Sequence, residues 1–270
     1  MTIFRLTNSA SATSNVAEDK NAQGLAGPEI SKPALRLDQL LSRFGYCSRR
    51  EAGGWLAAGR VSLNGQSLTR ADQRADPEQV RIDGEPVEFP RGLLIMLHKP
   101  VGYACSHDPA ESPLIHDLLP PQWRRRNPGP ISIGRLDRGT SGLILVTDDG
   151  ALSHRLTSPR HEVEKCYEVI VSAPIPDHLA ELFAAGTLLL NGETKPCRPA
   201  RLEPTGPMTA RVFLHEGKYH QVRRMFASQG CPVTALHRSS FGKLTLDSLP
   251  EGAWRAVGHD ELENSSPQPG

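Results

Sequence analysis

The chain has 270 residues, 38% of them apolar and 23% charged, with 31 Lys and Arg against 30 Asp and Glu. At about 150 residues per domain, that length suggests two domains and enough chain for a real core. No apolar run nears the ~20 residues of a membrane helix, and the composition excludes collagen, a coiled coil and a disulfide-stapled mini-protein. A net charge of +1 does not advertise nucleic acid, although a balanced sum can conceal local stripes. Cys47, Cys105, Cys166, Cys197 and Cys231 are odd in number and lack the spacing of a metal knuckle or a redox dithiol. They read as reduced thiols of a cytoplasmic protein, and the first residues lack the apolar stretch of a secretory signal.

Residues 1–33, rich in Ser, Ala, Asn and Gly, read as a disordered extension, and 263–270 as a disordered tail. Between them the pattern suggests domains at 34–88 and 89–262. Leu37, Leu40, Leu41 and Phe44 share one helix face, which Gly45 ends. Ser48-Arg49-Arg50-Glu51 has the form of a capping box, opening a second helix that turns Ala52, Trp55 and Leu56 inward and stops near Gly59. Gly53 and Gly54 weaken that helix by about 1 kcal/mol each. A hairpin turning at Asn64-Gly65 and a strand over 80–84 complete a small module, and 89–92 reads as a linker. Beyond it, strands are expected at 93–98, 142–147, 166–172, 187–190, 200–203, 210–215 and 233–237. Helices are expected at 151–156, 177–185 and 218–229. Strands in hairpin-like succession favour an α+β fold with a mixed, mostly antiparallel sheet over a doubly wound parallel one.

Charge is less even locally. Between 211 and 243 stand Arg211, Lys218, Arg223, Arg224, Arg238 and Lys243, against Glu216 alone. Arg43, Arg49 and Arg50 crowd the first helix pair, and Arg124, Arg125 and Arg126 form a third group. Such stripes suit phosphate contacts, and they equally suit solvated faces. Gly134-Arg135-Leu136-Asp137-Arg138-Gly139-Thr140-Ser141-Gly142 sets an acid between two arginines at the mouth of an apolar strand. Asp137 reads either as a nucleophile kept ionised by its neighbours or as a turn aspartate bonding its own backbone, and spacing alone favours the turn. Asp148-Asp149-Gly150 reads as a turn and helix N-cap. Tyr167 suits base stacking or proton transfer, or the ordinary place of a strand aromatic. Val222, Met225 and Phe226 point inward at helical spacing, so Arg223 and Arg224 point elsewhere. No metal-ligand spacing, serine-hydrolase elbow or dinucleotide fingerprint occurs, so neither metal nor cofactor is expected.

Four motifs together carry a more specific likeness. They are His98-Lys99-Pro100-x-Gly102-Tyr103, the Gly134–Leu143 stretch, Lys165-x-Tyr167, and Glu216-Gly217-Lys218-Tyr219-His220-Gln221-Val222-Arg223-Arg224-Met225. They resemble, in order, the catalytic domain of the type-A pseudouridine synthases that act on the small ribosomal subunit. Residues 36–88 resemble an S4 RNA-binding domain through Arg36-Leu37-Asp38, Cys47-Ser48-Arg49-Arg50-Glu51-Ala52, Gly59-Arg60-Val61 and Asn64-Gly65. The resemblance implies a cofactor-free isomerase that converts a uridine in RNA to pseudouridine, and it overrides the turn reading of Asp137. By carry-over Asp137 is the nucleophile, Tyr167 stacks on the base and assists proton transfer, and Arg223 pairs with Asp137. Val222 packs beneath the site, while Arg135 and Thr140 shape the loop. Arg43, Arg49, Arg50, Lys218 and Arg224 are expected to contact RNA. Tyr219-His220-Gln221 favours 16S over 23S rRNA as partner, naked or in an assembling ribonucleoprotein. The enzyme is expected to be a monomer with no membrane association. The rival reading is a non-catalytic RNA-binding assembly factor.

Overall fold

The computed structural model describes residues 34–158 and 163–263. The expected extension, 1–33, and the tail beyond 263 lie outside them. Two compact units form, one from 34–41 with 48–87 and the other from 42–47 with 88–263.

The first unit holds β1 (Leu35–Arg36), the start of α1 (Leu37–Arg43), α2 (Ala52–Ala57), β2 (Val61–Leu63), β3 (Gln66–Ser67), β4 (Arg74–Ala75), β5 (Val80–Ile82) and β6 (Glu85–Pro86). β1 pairs with β4, and β3-β2-β5-β6 make an antiparallel sheet. The β2–β3 turn has Asn64 and Gly65 both at positive φ, 51° and 79°, as a tight hairpin demands. Leu37, Leu40, Leu41, Ala52 and Leu56 are buried, the faces their helical spacing predicts. The capping-box bonds also form. The Glu51 carboxylate accepts from Ser48 N at 2.8 Å and Ser48 Oγ at 2.7 Å. They close a turn ahead of α2, whose regular helix begins only at Ala52.

The second unit is built from β7 (Leu94–Lys99), α3 (Pro121–Arg124), β8 (Ile131–Ile133), β9 (Ser141–Thr147), α4 (Gly150–Thr157), β10 (Lys165–Val171), α5 (Leu179–Ala185), β11 (Arg201–Gly206), β12 (Thr209–Leu214), α6 (Gln221–Ala227), β13 (Val233–Phe241), β14 (Leu244–Thr245), β15 (Trp254–Ala256) and α7 (His259–Glu263). Its sheet runs β11-β12-β10-β13-β9-β7-β15, with β14 on β13 and β8 on β9. Every neighbouring pair is antiparallel except β9 and β13, which meet in parallel over two residue pairs, His237↔Ser141 and Arg238↔Gly142. The fold is therefore α+β with a mixed, mostly antiparallel sheet. β7 and β9 are buried on both faces. Leu94, Met96, Leu143 and Leu145 pack with α4, while Ile95, Leu97, Ile144 and Val146 pack toward Trp123. That explains why both strands read as unbroken apolar runs. A separate core joins β10–β13 to α5 and α6 through Val169, Phe183, Val212 and Phe226.

Three expectations need correction. Residues 187–190 do not form a strand: Gly186 ends α5 in the left-handed conformation, and Leu188 O accepts a single bond from Cys197 N in place of a ladder. β13 runs on to Phe241, because β10 keeps pairing with it as far as Lys165↔Phe241. Arg126 is not a surface cation. It is buried, its Nε 2.8 Å from Asp148 Oδ2, with its other nitrogens on Glu88 O and Phe89 O. Asp148 in turn accepts from Leu93 N, while Asp149 caps α4 through Ala151 N and Leu152 N.

Candidate active site

The segment between β8 and β9 carries Asp137, and it enters β9 where the two halves of the sheet meet. Gly142 makes that junction possible. Its φ is +113°, and a Cβ there would lie 2.3 Å from Arg238 O. The carbonyls from Asp137 to Thr140 all have donors, which fixes the backbone of the loop. Thr140 N donates to Asp137 O, and Gly102 N to Arg138 O. Arg223 Nη2 donates to Gly139 O at 2.7 Å, and Lys99 Nζ to Thr140 O at 2.7 Å. Cys105 Sγ accepts from Leu136 N, and the Arg138 guanidinium binds the carbonyls of Gly102, Glu111 and Ser112. Lys99 is wholly buried at the end of β7, and desolvation pulls its ammonium below the usual lysine range. Its place in the His98-Lys99-Pro100 motif was the available signal, yet its role as a brace for the 137–140 backbone is visible only in three dimensions.

The Asp137 carboxylate, about one-third exposed, lies 3.3 Å from His220 Nε2. His220 precedes α6 at φ 48°, a left-handed position that turns its ring toward the loop. Its other neighbour is Tyr219, stacked on it at 3.9 Å and 74% exposed. Arg223 does not pair with Asp137. Both ends of its fork are taken by carbonyls, Gly139 O and Val233 O, so it holds the loop by its backbone instead.

A cavity of about 1050 Å³ brings these groups together. Arg135, Asp137, Thr140, Lys165, Tyr167, Lys218, Val222 and Arg223 all line it, with His220 and Arg238 added by the fold. Tyr167 is half-buried on β10, beside Val212 and Arg238 on the flanking strands. Val222 is buried beneath, in the α6 core. Desolvation, reinforced by Arg238, lowers Lys165 to about 8 while its Nζ donates to Val163 O. Arg135 is exposed, with no hydrogen-bond or ion-pair partner among the described residues. Two polar atoms of the wall stand apart. Thr140 Oγ1 and Arg238 Nη2 are buried without a hydrogen-bond partner among the described residues. Each such orphan costs about 1–3 kcal/mol.

The other expected RNA contacts divide. Lys218 and Arg224 share Glu193 at 3.3 Å and 2.9 Å, so one of their two charges is balanced within the chain, and they hold the Glu193 carboxyl below its usual range. Arg43 is exposed in the second unit. In the first unit Arg50 is exposed, while Arg49 reaches Asp38 at 2.9 Å. Hydrogen bonds from Arg36 and Arg49 lower the Asp38 carboxyl to about 2.

The family model for RNA pseudouridylate synthase matches residues 93–228, and that for the S4 domain matches 35–80. The chain belongs to the RNA pseudouridylate synthase family. This synthase is 40% identical over 233 residues to the ribosomal small subunit pseudouridine synthase A of Escherichia coli (strain K12), a match covering 84% of this chain and 98% of that protein. The enzyme of the same name from Pasteurella multocida (strain Pm70) is 37% identical over 232 residues, with the same coverage. A crystal structure of a pseudouridylate synthase, 34% identical, superposes with a TM-score of 0.59 over 86% of this chain and 100% of its own. The synthase is thus an isomerase acting on RNA, with its S4 module ahead of the catalytic unit.

Proposed function

We propose that this synthase isomerises one uridine of 16S rRNA to pseudouridine, with Asp137 as its nucleophile. One observation carries the reading: the Asp137 carboxylate opens into the cavity from a loop whose carbonyls from Asp137 to Thr140 all have donors. Relatives whose names refer to the small ribosomal subunit match over nearly their whole length, which favours 16S over 23S rRNA. A uracil inside a helix cannot reach such a cavity, so the nucleotide is extruded at a cost of about a few kcal/mol. Phosphate contacts offset that cost. Arg135, Arg43, Arg49 and Arg50 supply them, while Lys218 and Arg224 add positive field around Glu193. Asp137 attacks, the N1–C1′ bond breaks, and the base turns within the cavity. C5 then bonds to C1′, the bond to Asp137 breaks, and the C5 proton leaves while N1 takes one up, so product and substrate are isomers. Tyr167 stacks on the base and assists removal of the C5 proton. Arg223 and Thr140 hold the loop, and Val222 supports the floor. The synthase works as a monomer in the cytoplasm, in keeping with its free cysteines.

Tritium release from C5-labelled uridine tests this, with 16S and 23S transcripts offered naked and bound to their ribosomal proteins. The expected result is release of one tritium per 16S molecule and none from 23S. Asp137→Asn is expected to abolish release and leave RNA binding nearly intact. Release from 23S alone would overturn the substrate, and a variant retaining more than a few per cent of turnover would overturn the nucleophile.

A further inference from the structure

We infer that Thr140 and Arg238 form a base-reading subsite in the wall of the active-site cavity, which takes the polar edge of the uracil ring. This rests on the pseudouridine-forming reading of the site. Both side chains line the cavity that holds Asp137 and Tyr167. Thr140 is 0% and Arg238 2% exposed, and Thr140 Oγ1 and Arg238 Nη2 lack partners among the described residues. The rest of each residue is fixed. Arg238 Nε donates to Leu143 O at 2.7 Å, and its backbone faces Gly142 across the parallel junction. Thr140 N is bound to Asp137 O and its carbonyl to Lys99. The orphan groups are therefore held in place by rigid backbone, as a recognition site requires.

The chemistry selects the ligand. A guanidinium nitrogen only donates, so Arg238 Nη2 calls for an acceptor. Uracil presents a carbonyl at C4 where cytosine presents an amino donor, as thymine and cytosine differ in the same way. A buried donor facing the C4 substituent favours uracil and rejects cytosine, because the cytosine amino group leaves the Arg238 donor unpaired. The Thr140 hydroxyl either donates or accepts, so it meets the carbonyl or the neighbouring N3–H.

Three variants, Thr140→Val, Thr140→Ser and Arg238→Lys, are compared with wild type in binding uridine 5′-monophosphate and cytidine 5′-monophosphate by NMR titration. Melting temperature and tritium release from 16S RNA are measured alongside. Wild type is expected to prefer the uridine nucleotide by about tenfold or more. Thr140→Val, which keeps the shape and removes only the unpaired hydroxyl, is expected to melt no lower than wild type. Its uridine affinity should fall by about fivefold or more, and Thr140→Ser should restore it. Arg238→Lys should shrink the uridine preference. The inference is overturned if wild type shows no preference, if both Thr140→Val and Arg238→Lys retain it, or if Thr140→Val loses affinity only together with its fold. Tritium release separates the two readings. Wild type that releases none yet shows the preference, lost in the variants, keeps the subsite and removes the pseudouridine reading. Variants that release tritium and discriminate as wild type does remove the subsite alone.

Discussion

Arg126 and Asp148 show how a residue's chemistry depends on its surroundings. Both side chains are essentially out of solvent, 0% and 3% exposed, and each is fully engaged by the other and by backbone. Removing one partner leaves a buried charge uncompensated, at about 3–5 kcal/mol. Arg126→Ala is therefore expected to lower unfolding free energy by that amount in urea, and replacing Asp148 as well should recover part of it. Lys165 presents the opposite case, a cation that burial disfavours. Its folded pKa is about 8 against an ordinary 10.5. Between those values the unfolded chain binds more protons than the folded one, so stability rises with pH across that window. Urea midpoints measured from pH 7 to 11 should rise in wild type, and Lys165→Met should flatten the rise.

At the scale of elements, glycine has two opposite meanings in this chain. Gly53 and Gly54 lie exposed within α2, and a Cβ at either meets nothing within 4 Å. Neither needs positive φ, so they only add backbone freedom to the unfolded chain. Gly53→Ala should raise stability by about 0.5–1 kcal/mol, measured by chemical denaturation, without altering RNA affinity. Gly142 is the reverse, since its left-handed backbone and close contact with Arg238 let β9 and β13 meet. That meeting sets the Asp137 loop against the wall that carries Arg238. The strand pair is short, but it decides where Asp137 sits relative to Arg238.

For the whole molecule, the proposed function has cations of both units contacting the RNA. RNA affinity should then depend on salt through both, each phosphate contact adding to the slope. Arg50→Ala in the S4 module is expected to weaken RNA binding at low salt and reduce the slope of log K against log salt by about one. Arg49→Ala should change the slope less, because its guanidinium already serves Asp38, and should also weaken the module itself. An unchanged slope in the Arg50 variant would place that side chain outside the footprint.

Local pattern determined much of this protein by itself. The apolar runs of β7 and β9, the α1 face, the Asn64-Gly65 turn and the Asp149 cap follow from short-range sterics and burial, which neighbouring residues already encode. The motif order pointed to the family and to Asp137 and Tyr167. What pattern did not determine was long-range pairing. Arg223 looked like the partner of Asp137, yet two distant carbonyls take its fork and His220 stands there instead. Arg126 looked like a surface cation and became the partner of a buried carboxylate twenty-two residues away. Lys99, Thr140 and Arg238 meet around one loop only because β7, β9 and β13 lie side by side. A side chain's charge is written in its type, but what that charge neutralises depends on which segments tertiary packing brings into the same low-dielectric space.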